Sequence, residues 1–134
     1  ALCCVVVGRN AVLRWPALDP EAARTQLQVL LDTWVEGMRW PLPLPPRVAL
    51  QWLKDKGNLN ALADVYEGSD FKSAEKDKDP ALARTYPTVE DLLATDALDR
   101  LAQAVYAPLK VWAAEAEVEV LPDAQDDEES GESA

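Results

Sequence analysis

The amino-acid sequence predicts an α+β fold in which a short β-hairpin is followed by about five helices. Residues 2–7 and 11–15 are rich in β-branched side chains, and a Gly-Arg-Asn turn at residues 8–10 separates them, a pattern typical of a hairpin. From residue 19 onward, apolar side chains recur at helical spacing, and most of these runs begin at a capping residue. The length of 134 residues allows one domain with a single core.

The first long helix is predicted to begin at Asp19 and to end near Gly37. Asp19 can accept hydrogen bonds from the first turn, and Pro20 has the backbone angle that this turn needs. We expect one apolar stripe of this helix to face the core. The stripe consists of Ala23, Leu27, Leu30, Leu31, Trp34 and Met38.

Residues 41–46, Pro-Leu-Pro-Leu-Pro-Pro, are predicted to form an extended strap. They cannot form a helix or a central strand, because proline lacks an amide donor and restricts the residue before it. We expect the two leucines of the strap to pack against Leu27, Leu31 and Trp34. The alternative is that the strap binds an aromatic groove of a partner protein.

The remaining helices are predicted where a cap or a proline precedes an apolar run. Pro108 interrupts the last of them, so we expect a kink or a restart there. Low hydrophobicity and alternating charge predict an exposed loop over residues 68–78. The acid-rich sequence at residues 122–134 predicts a disordered tail, which leaves residues 1–121 as the domain. The helices are predicted to begin near Arg47, Leu59, Asp79, Thr88 and Thr95.

Composition excludes several classes of function. The chain has no His, which removes the commonest general base and every Ser-His or Cys-His nucleophile pair. The net charge is −11, but nine of the 24 acidic residues follow residue 114, where there is no basic residue. The other 15 acidic and 13 basic residues leave a charge of −2 on residues 1–114. Neither residues 1–114 nor the acidic residues after them provide the basic surface that a free-standing DNA-binding domain needs.

The two cysteines, Cys3 and Cys4, are neighbours in the first predicted strand and should point to opposite faces. We expect plain buried or half-buried thiols, with a redox or metal role as the alternative. The sequence contains neither a disulfide framework nor an export signal, and no apolar run is long enough to span a membrane. These features favour a cytoplasmic location. Because residue 1 is not Met, we expect a piece of a longer protein.

One short pattern could serve a Mg²⁺-dependent nuclease. It combines Asp70 and Lys72, an acid-x-Lys triplet, with Asp64 upstream. In such enzymes the acids hold the ion and the lysine orients the attacking water. The triplet lies in a charged loop, so a solvated loop is the favoured interpretation. Lys72, Lys76 and Lys78 could contact DNA phosphates, but the neighbouring acids oppose their field. No catalytic, metal-binding or cofactor-binding set is therefore predicted.

The five Trp residues are divided between two predicted roles. Trp15 and Trp40 flank prolines at the ends of elements and are candidates for an exposed contact with a partner. The other three lie on helical apolar stripes and are expected in the core: Trp34, Trp52 and Trp112.

Several short motifs occur in an order that resembles a known family. A helix ending in Gly37 is followed by the Trp-Pro-Leu-Pro-Leu segment at 40–44 and by a second helix that contains Trp52. This order is similar to that in the C-terminal region of the exodeoxyribonuclease V gamma subunit, the RecC type. The resemblance covers roughly residues 3–114. The motif positions are Gly37, Pro41, Leu42, Pro43, Leu44, Trp52, Asp79, Pro80, Tyr106, Pro108 and Leu109.

The resemblance implies a fold and a function. The chain would be the back half of a restriction-nuclease-like domain that lacks an active site. The gamma subunit is a non-motor part of a three-subunit helicase-nuclease that processes double-strand breaks for recombination. Its implied partners are the beta subunit, the alpha subunit and DNA. The implied role is structural and DNA-channelling, with ATP and Mg²⁺ used by the parent complex and no cofactor in this segment.

Two other functions stay open at this point. The first is the small Mg²⁺-dependent nuclease that would use Asp64, Asp70 and Lys72. The second is a free-standing protein-binding adaptor. The sequence departs from the family pattern at Val48, Leu98 and Lys110, which affects local packing and the end of the last helix.

Overall fold

A computed structural model describes residues 3–122, which form an α+β fold. Three strands of this part make an antiparallel sheet in the order β1-β2-β3: β1 is Cys4–Val7, β2 is Ala11–Trp15 and β3 is Glu117–Val120. The predicted hairpin is confirmed, with Val6 opposite Leu13. No strand was predicted at β3, although its Glu-Val alternation has the period of two that is typical of a strand.

Helix α1 is Pro20–Gly37, and its N-terminus is capped as predicted. Oδ2 of Asp19 accepts hydrogen bonds from the backbone N–H groups of Glu21 (3.1 Å) and Ala22 (3.0 Å). The expectation that its apolar stripe faces the core is wrong, because no residue of α1 is buried by the described part of the chain. The half-buried residues of the helix are Ala23, Val29, Thr33 and Glu36, and only Ala23 among them belongs to the predicted stripe.

The core lies among the helices that follow the strap. Its buried residues are Val48, Leu62, Val65, Tyr66, Val89, Leu92 and Leu98. The helices that contribute to it or surround it are α2 (Pro46–Lys54), α3 (Leu59–Tyr66), α4 (Pro80–Thr85), α5 (Val89–Leu92), α6 (Ala97–Leu101) and α7 (Ala107–Ala114).

Local capping chemistry explains where most of the short helices begin. Asn58 accepts from the N–H of Ala61, and Asp79 accepts from the first turn of α4. Thr88 forms a complete capping box at the start of α5. Thr95 accepts from the N–H of Ala97 at 3.2 Å, although Asp96 is the residue at the cap position of α6.

The predicted interruption of the last helix is confirmed. Residues Ala102–Tyr106 form one π-helical turn between α6 and α7, and Pro108 lies in the first turn of α7. Proline has no N–H to continue the α-helical ladder, so the regular hydrogen-bond pattern is interrupted at this point. Leu109, which follows Pro108 in α7, is 48% exposed and so is only partly covered.

The predicted exposed loop at residues 68–78 contains two buried residues, Ala74 and Glu75. The Glu75 side chain caps α2 across space. Its Oε1 accepts from the N–H of Arg47 and its Oε2 accepts from the N–H of Val48, both at 2.9 Å. Pro45 precedes α2 and provides no side-chain cap, so these N–H groups depend on a distant carboxylate. No local sequence pattern predicts this role, because Glu75 and Val48 are 27 residues apart in the chain.

The sheet meets the helices through a pair of tryptophans. The rings of Trp15 and Trp112 are stacked, with centroids 4.5 Å apart and an angle of 13° between their planes. Trp15 is only 7% exposed, so the expectation of an exposed Trp15 is wrong. Trp40 is 69% exposed, as expected, whereas Trp34 is 63% exposed and does not lie in the core.

Two cysteines lie at the start of the described residues, and the predicted tail begins at their end. Cys3 and Cys4 are both exposed free thiols, so the expectation of buried or half-buried thiols is wrong. Most of the predicted acidic tail, at residues 123–134, lies outside the described residues. Within residues 3–122, no helix is both long enough and apolar enough to cross a membrane.

Candidate protein-binding surface

The outer side of α1 carries a broad apolar surface, which we call the α1 face. At 100° per residue its members span an arc of about 140° on the helix. Every one of them is between 43% and 70% exposed: Leu27, Leu30, Leu31, Trp34, Val35 and Met38. Contiguous apolar surface of this kind usually marks a contact with another protein or a membrane.

Polar side chains of α1 near the α1 face form hydrogen bonds or ion pairs with one another or with α6. Arg24 forms an ion pair with Glu21 at 2.6 Å, and the Gln28 amide donates to Asp32 at 2.8 Å. The α1 face itself therefore offers apolar contact with few free charges. Such a surface is suited to protein rather than to phosphate.

An ion pair joins the end of α1 to the helical core. Nη2 and Nη1 of Arg100 in α6 donate to the two carboxylate oxygens of Glu36, at 2.6 and 3.2 Å. This bidentate arrangement constrains orientation as well as distance. The hydrogen bond from Arg100 lowers the pKa of Glu36, so the pair remains charged over the physiological pH range.

Gly37 allows the strap to turn back closely against the end of α1. A Cβ atom at Gly37 would lie 3.3 Å from Cδ1 of Leu42, which leaves little room for any larger residue. Leu42 and Leu44 are half-buried, and they line a groove of about 310 Å³ together with Pro45 and Leu82. The strap leucines therefore face this groove, and the expectation that they bury the α1 stripe is wrong.

Two tyrosines tie the strap to the core. The Tyr86 hydroxyl donates to the carbonyl of Pro41 at 2.6 Å, and the Tyr66 hydroxyl donates to the carbonyl of Tyr86 at 2.5 Å. Pro43 and Pro45 are buried, so the strap is held by packing as well as by hydrogen bonds. The strap that follows α1 is thus anchored to the core by hydrogen bonds and by its two buried prolines.

Burial of Tyr66 predicts a loss of stability in alkaline solution. Desolvation, with smaller contributions from nearby acids, raises the pKa of Tyr66 to about 12 from 10.0. The folded state therefore retains this proton where the unfolded chain has lost it, and stability is complete below pH 10 and decreases between pH 10 and 12. We expect a loss on the order of 2 kcal/mol from Tyr66 across that interval. Urea unfolding at pH 9 and pH 11.5 measures it.

Tyr66→Phe is the control for the alkaline transition, because it removes the titrating hydroxyl and preserves the ring. The variant should lose most of the pH dependence that Tyr66 causes, although Tyr86 and Tyr106 also have pKa values raised by burial. Equal slopes for the variant and the unsubstituted chain would contradict the assignment.

The other motif positions have structural contacts. Nε1 of Trp52 donates to Oδ1 of Asp99 at 2.8 Å, and Lys56 donates to Oδ2 at 2.9 Å, so α2 is tied to α6. The Lys56 and Trp52 hydrogen bonds lower the pKa of Asp99. The remaining positions lie at helix starts or in the last helix: Asp79, Pro80, Tyr106, Pro108 and Leu109.

The structure gives no support to the nuclease alternative. Asp64 lies in α3, whereas Asp70 lies in a tight turn between Ser69 and Lys72. Within residues 3–122, no group of three or more acidic or thiol side chains is placed to share a metal ion. Of the loop lysines, Lys76 donates to the carbonyl of Pro87 at 3.0 Å and so contributes to the fold.

One comparison with known families gives a match. Residues 1–57 match the family model described as the RecC C-terminal domain. This segment holds the hairpin, α1, the strap and α2, so it contains the whole α1 face. The match confirms the resemblance over this part of the chain. No curated protein and no solved structure matches the chain.

Proposed function

We propose that this chain is a non-catalytic, structural and DNA-channelling part of the gamma subunit of a helicase-nuclease complex for double-strand break repair, and that its α1 face binds the alpha subunit. The observation that carries the proposal is the exposed apolar face of α1, a helix that the Arg100–Glu36 pair joins to the helical core. The match to the RecC C-terminal domain, which includes this helix, supports the choice of complex.

The properties of the α1 face favour a protein partner. Trp34 and Met38 are 63% and 70% exposed, and aromatic and methionine side chains are enriched at protein interfaces. Three charged residues of α1 are in ion pairs: Glu21, Arg24 and Glu36. Burial of this face by another subunit would remove a large apolar area from water, which is a favourable term at any salt concentration.

The charge of the domain fits a channel that guides DNA without holding it. Residues 1–114 carry a charge of only −2, so they provide no attraction for phosphates over long distances. A DNA strand that slides through a channel needs a channel surface to which it does not bind tightly. In this proposal the alpha and beta subunits supply the ATP- and Mg²⁺-dependent steps, and the complex works in the cytoplasm.

Substitutions in the α1 face test the proposal directly. We expect Trp34→Ala and Leu31→Ala each to weaken binding of the chain to the purified alpha subunit by about 30-fold or more, as truncation of a central interface residue does. Calorimetry or biolayer interferometry measures the affinity. Helix content should not change, because neither side chain is buried in the described part of the chain.

Gln26→Ala is the matched control, since Gln26 is an exposed residue of α1 outside the apolar arc. Its affinity should equal that of the unsubstituted chain. The proposal fails if the three variants bind the alpha subunit equally well. If the α1 face binds the beta subunit and not the alpha subunit, the proposed partner is wrong. If the chain cleaves DNA in the presence of Mg²⁺, the nuclease alternative is favoured instead.

A further inference from the structure

We propose that α1 is a detachable helix, which separates from the helical core and returns to it while the core stays folded, and that the Arg100–Glu36 ion pair is the latch that holds it. Loss of charge at the latch, or screening by salt, then lowers the fraction of molecules in which α1 is docked. The inference concerns the side of α1 that faces the core, and it holds whichever protein binds the α1 face.

The inner side of α1 buries little apolar surface. It consists of Val29, Thr33 and Glu36, which are four and three residues apart and so point in the same direction. All three are only half-buried, and Val29 alone among them is apolar. Among the helices and strands, α1 packs mainly against the π-helical turn at 102–106. Because hydrophobic stabilisation is roughly proportional to the apolar area removed from water, this packing holds α1 only weakly.

Hydrogen bonds attach α1 to the core at one place. Within residues 3–122, its only side-chain hydrogen bonds to another helix or strand are those from Arg100 to Glu36, at 2.6 and 3.2 Å. The Thr33 hydroxyl lies on the inner side, but it donates to the carbonyl of Val29 in its own helix. The side chains of Arg100 and Glu36 are 50% and 35% exposed. Dissolved ions therefore reach the latch and weaken it.

The connections at both ends of α1 allow the helix to separate. Residues 16–19 and 38–41 are all exposed, and α1 contributes no residue to the buried cluster of the core. The strap that follows is anchored by the hydrogen bond from Tyr86 to the carbonyl of Pro41. Movement of α1 therefore exposes no core residue and leaves the strap in place.

Separation of α1 should make its backbone amides accessible to solvent. A helix of 18 residues without tertiary packing is marginally stable in water, so α1 unwinds at least partly when it separates. The amides of α3 belong to the buried core and exchange only when the whole domain unfolds. We expect the amides of α1 to exchange with deuterium at least about 100-fold faster than those of α3.

The test is hydrogen–deuterium exchange of the 134-residue chain and three variants: Glu36→Ala, Arg100→Ala and the double substitution. Each single substitution should raise the exchange rate in α1 by about three- to fivefold, the effect of losing a well-aligned surface ion pair. The double variant should exchange no faster than either single variant, because a broken pair has no second contribution to lose. In 1 M NaCl the unsubstituted chain should approach the rate of the double variant, whose own rate should hardly change. Unchanged rates in α3 verify that the core remains folded.

Arg24→Ala is the matched control, because it removes the same charge from a 2.6 Å ion pair that lies entirely within α1. It should change the exchange rate in α1 by less than about twofold. Equal exchange rates of α1 and α3 in the unsubstituted chain would show that the helix does not detach. Additive effects of Glu36→Ala and Arg100→Ala, or no effect of salt, would show that their ion pair is not the latch. Either result overturns the inference, and neither bears on binding of the alpha subunit to the α1 face.

Discussion

Trp15→Ala is expected to lower the free energy of unfolding by about 3–5 kcal/mol, the usual cost of truncating a large buried aromatic side chain. Trp15 is 7% exposed and stacks on Trp112 at 4.5 Å, so the substitution removes one ring and leaves the other beside a cavity. Because this stack joins the sheet to the last helix, we also expect the sheet to loosen first. Urea unfolding followed by circular dichroism measures the total effect.

Two further substitutions separate the stack from a general effect of losing tryptophan. Trp40→Ala removes a ring that is 69% exposed and should change stability by less than about 0.5 kcal/mol. Trp15→Phe should cost only about 1 kcal/mol, because it preserves most of the stack and removes an indole N–H that has no hydrogen-bond partner within residues 3–122. Equal stability of Trp15→Ala and Trp40→Ala would contradict the structural role of the stack.

Glu75→Ala should lower the free energy of unfolding by about 3 kcal/mol. The loss of a helix cap costs about 0.5–2 kcal/mol, and a buried N–H left without a partner adds about 1–3 kcal/mol. Here the N–H groups of Arg47 and Val48 both lose their acceptor, and Val48 is fully buried. Chemical denaturation at neutral pH measures the change.

The same experiment has a control in the same loop. Asp77 is exposed, and Asp77→Ala removes an equal charge without removing the cap of α2, so its effect should remain within about 0.5 kcal/mol. Glu75→Gln should lie between the two, because its amide has one oxygen to accept with and an N–H group facing the second donor. If Glu75→Ala and Asp77→Ala are equally stable, the cap across space makes no net contribution.

Rules that act between neighbouring residues predicted much of the fold. Asp19 caps the helix that was predicted to begin there, and Asn58 caps the helix that was predicted to begin near Leu59. Pro108 interrupts the last helix where it was expected to do so. Each of these features depends on residues within one or two turns. The hairpin of β1 and β2 is equally local, since its strands are joined by a short turn.

Contacts between distant segments were not predicted. The pairing of β3 with β2 includes an ion pair from Arg14 to Glu119, 105 residues apart, and the cap from Glu75 to Val48 spans 27 residues. No local pattern indicates which segments will meet. The same is true of the candidate surface. The periodicity identified the apolar stripe of α1, but whether that stripe faces the core depends on contacts with distant residues such as Arg100.

The position of β2 between the first and the last strand has a consequence for folding on the ribosome. The hairpin can form early, within about 1–10 microseconds, because its turn is short. The other edge of β2 pairs with β3, which is made roughly 100 residues later. Closing so long a loop costs entropy that only the packing of the helices can offset, so this pairing forms late. During synthesis that edge remains an unpaired strand, and we expect chaperone protection of the nascent chain to matter most in this interval.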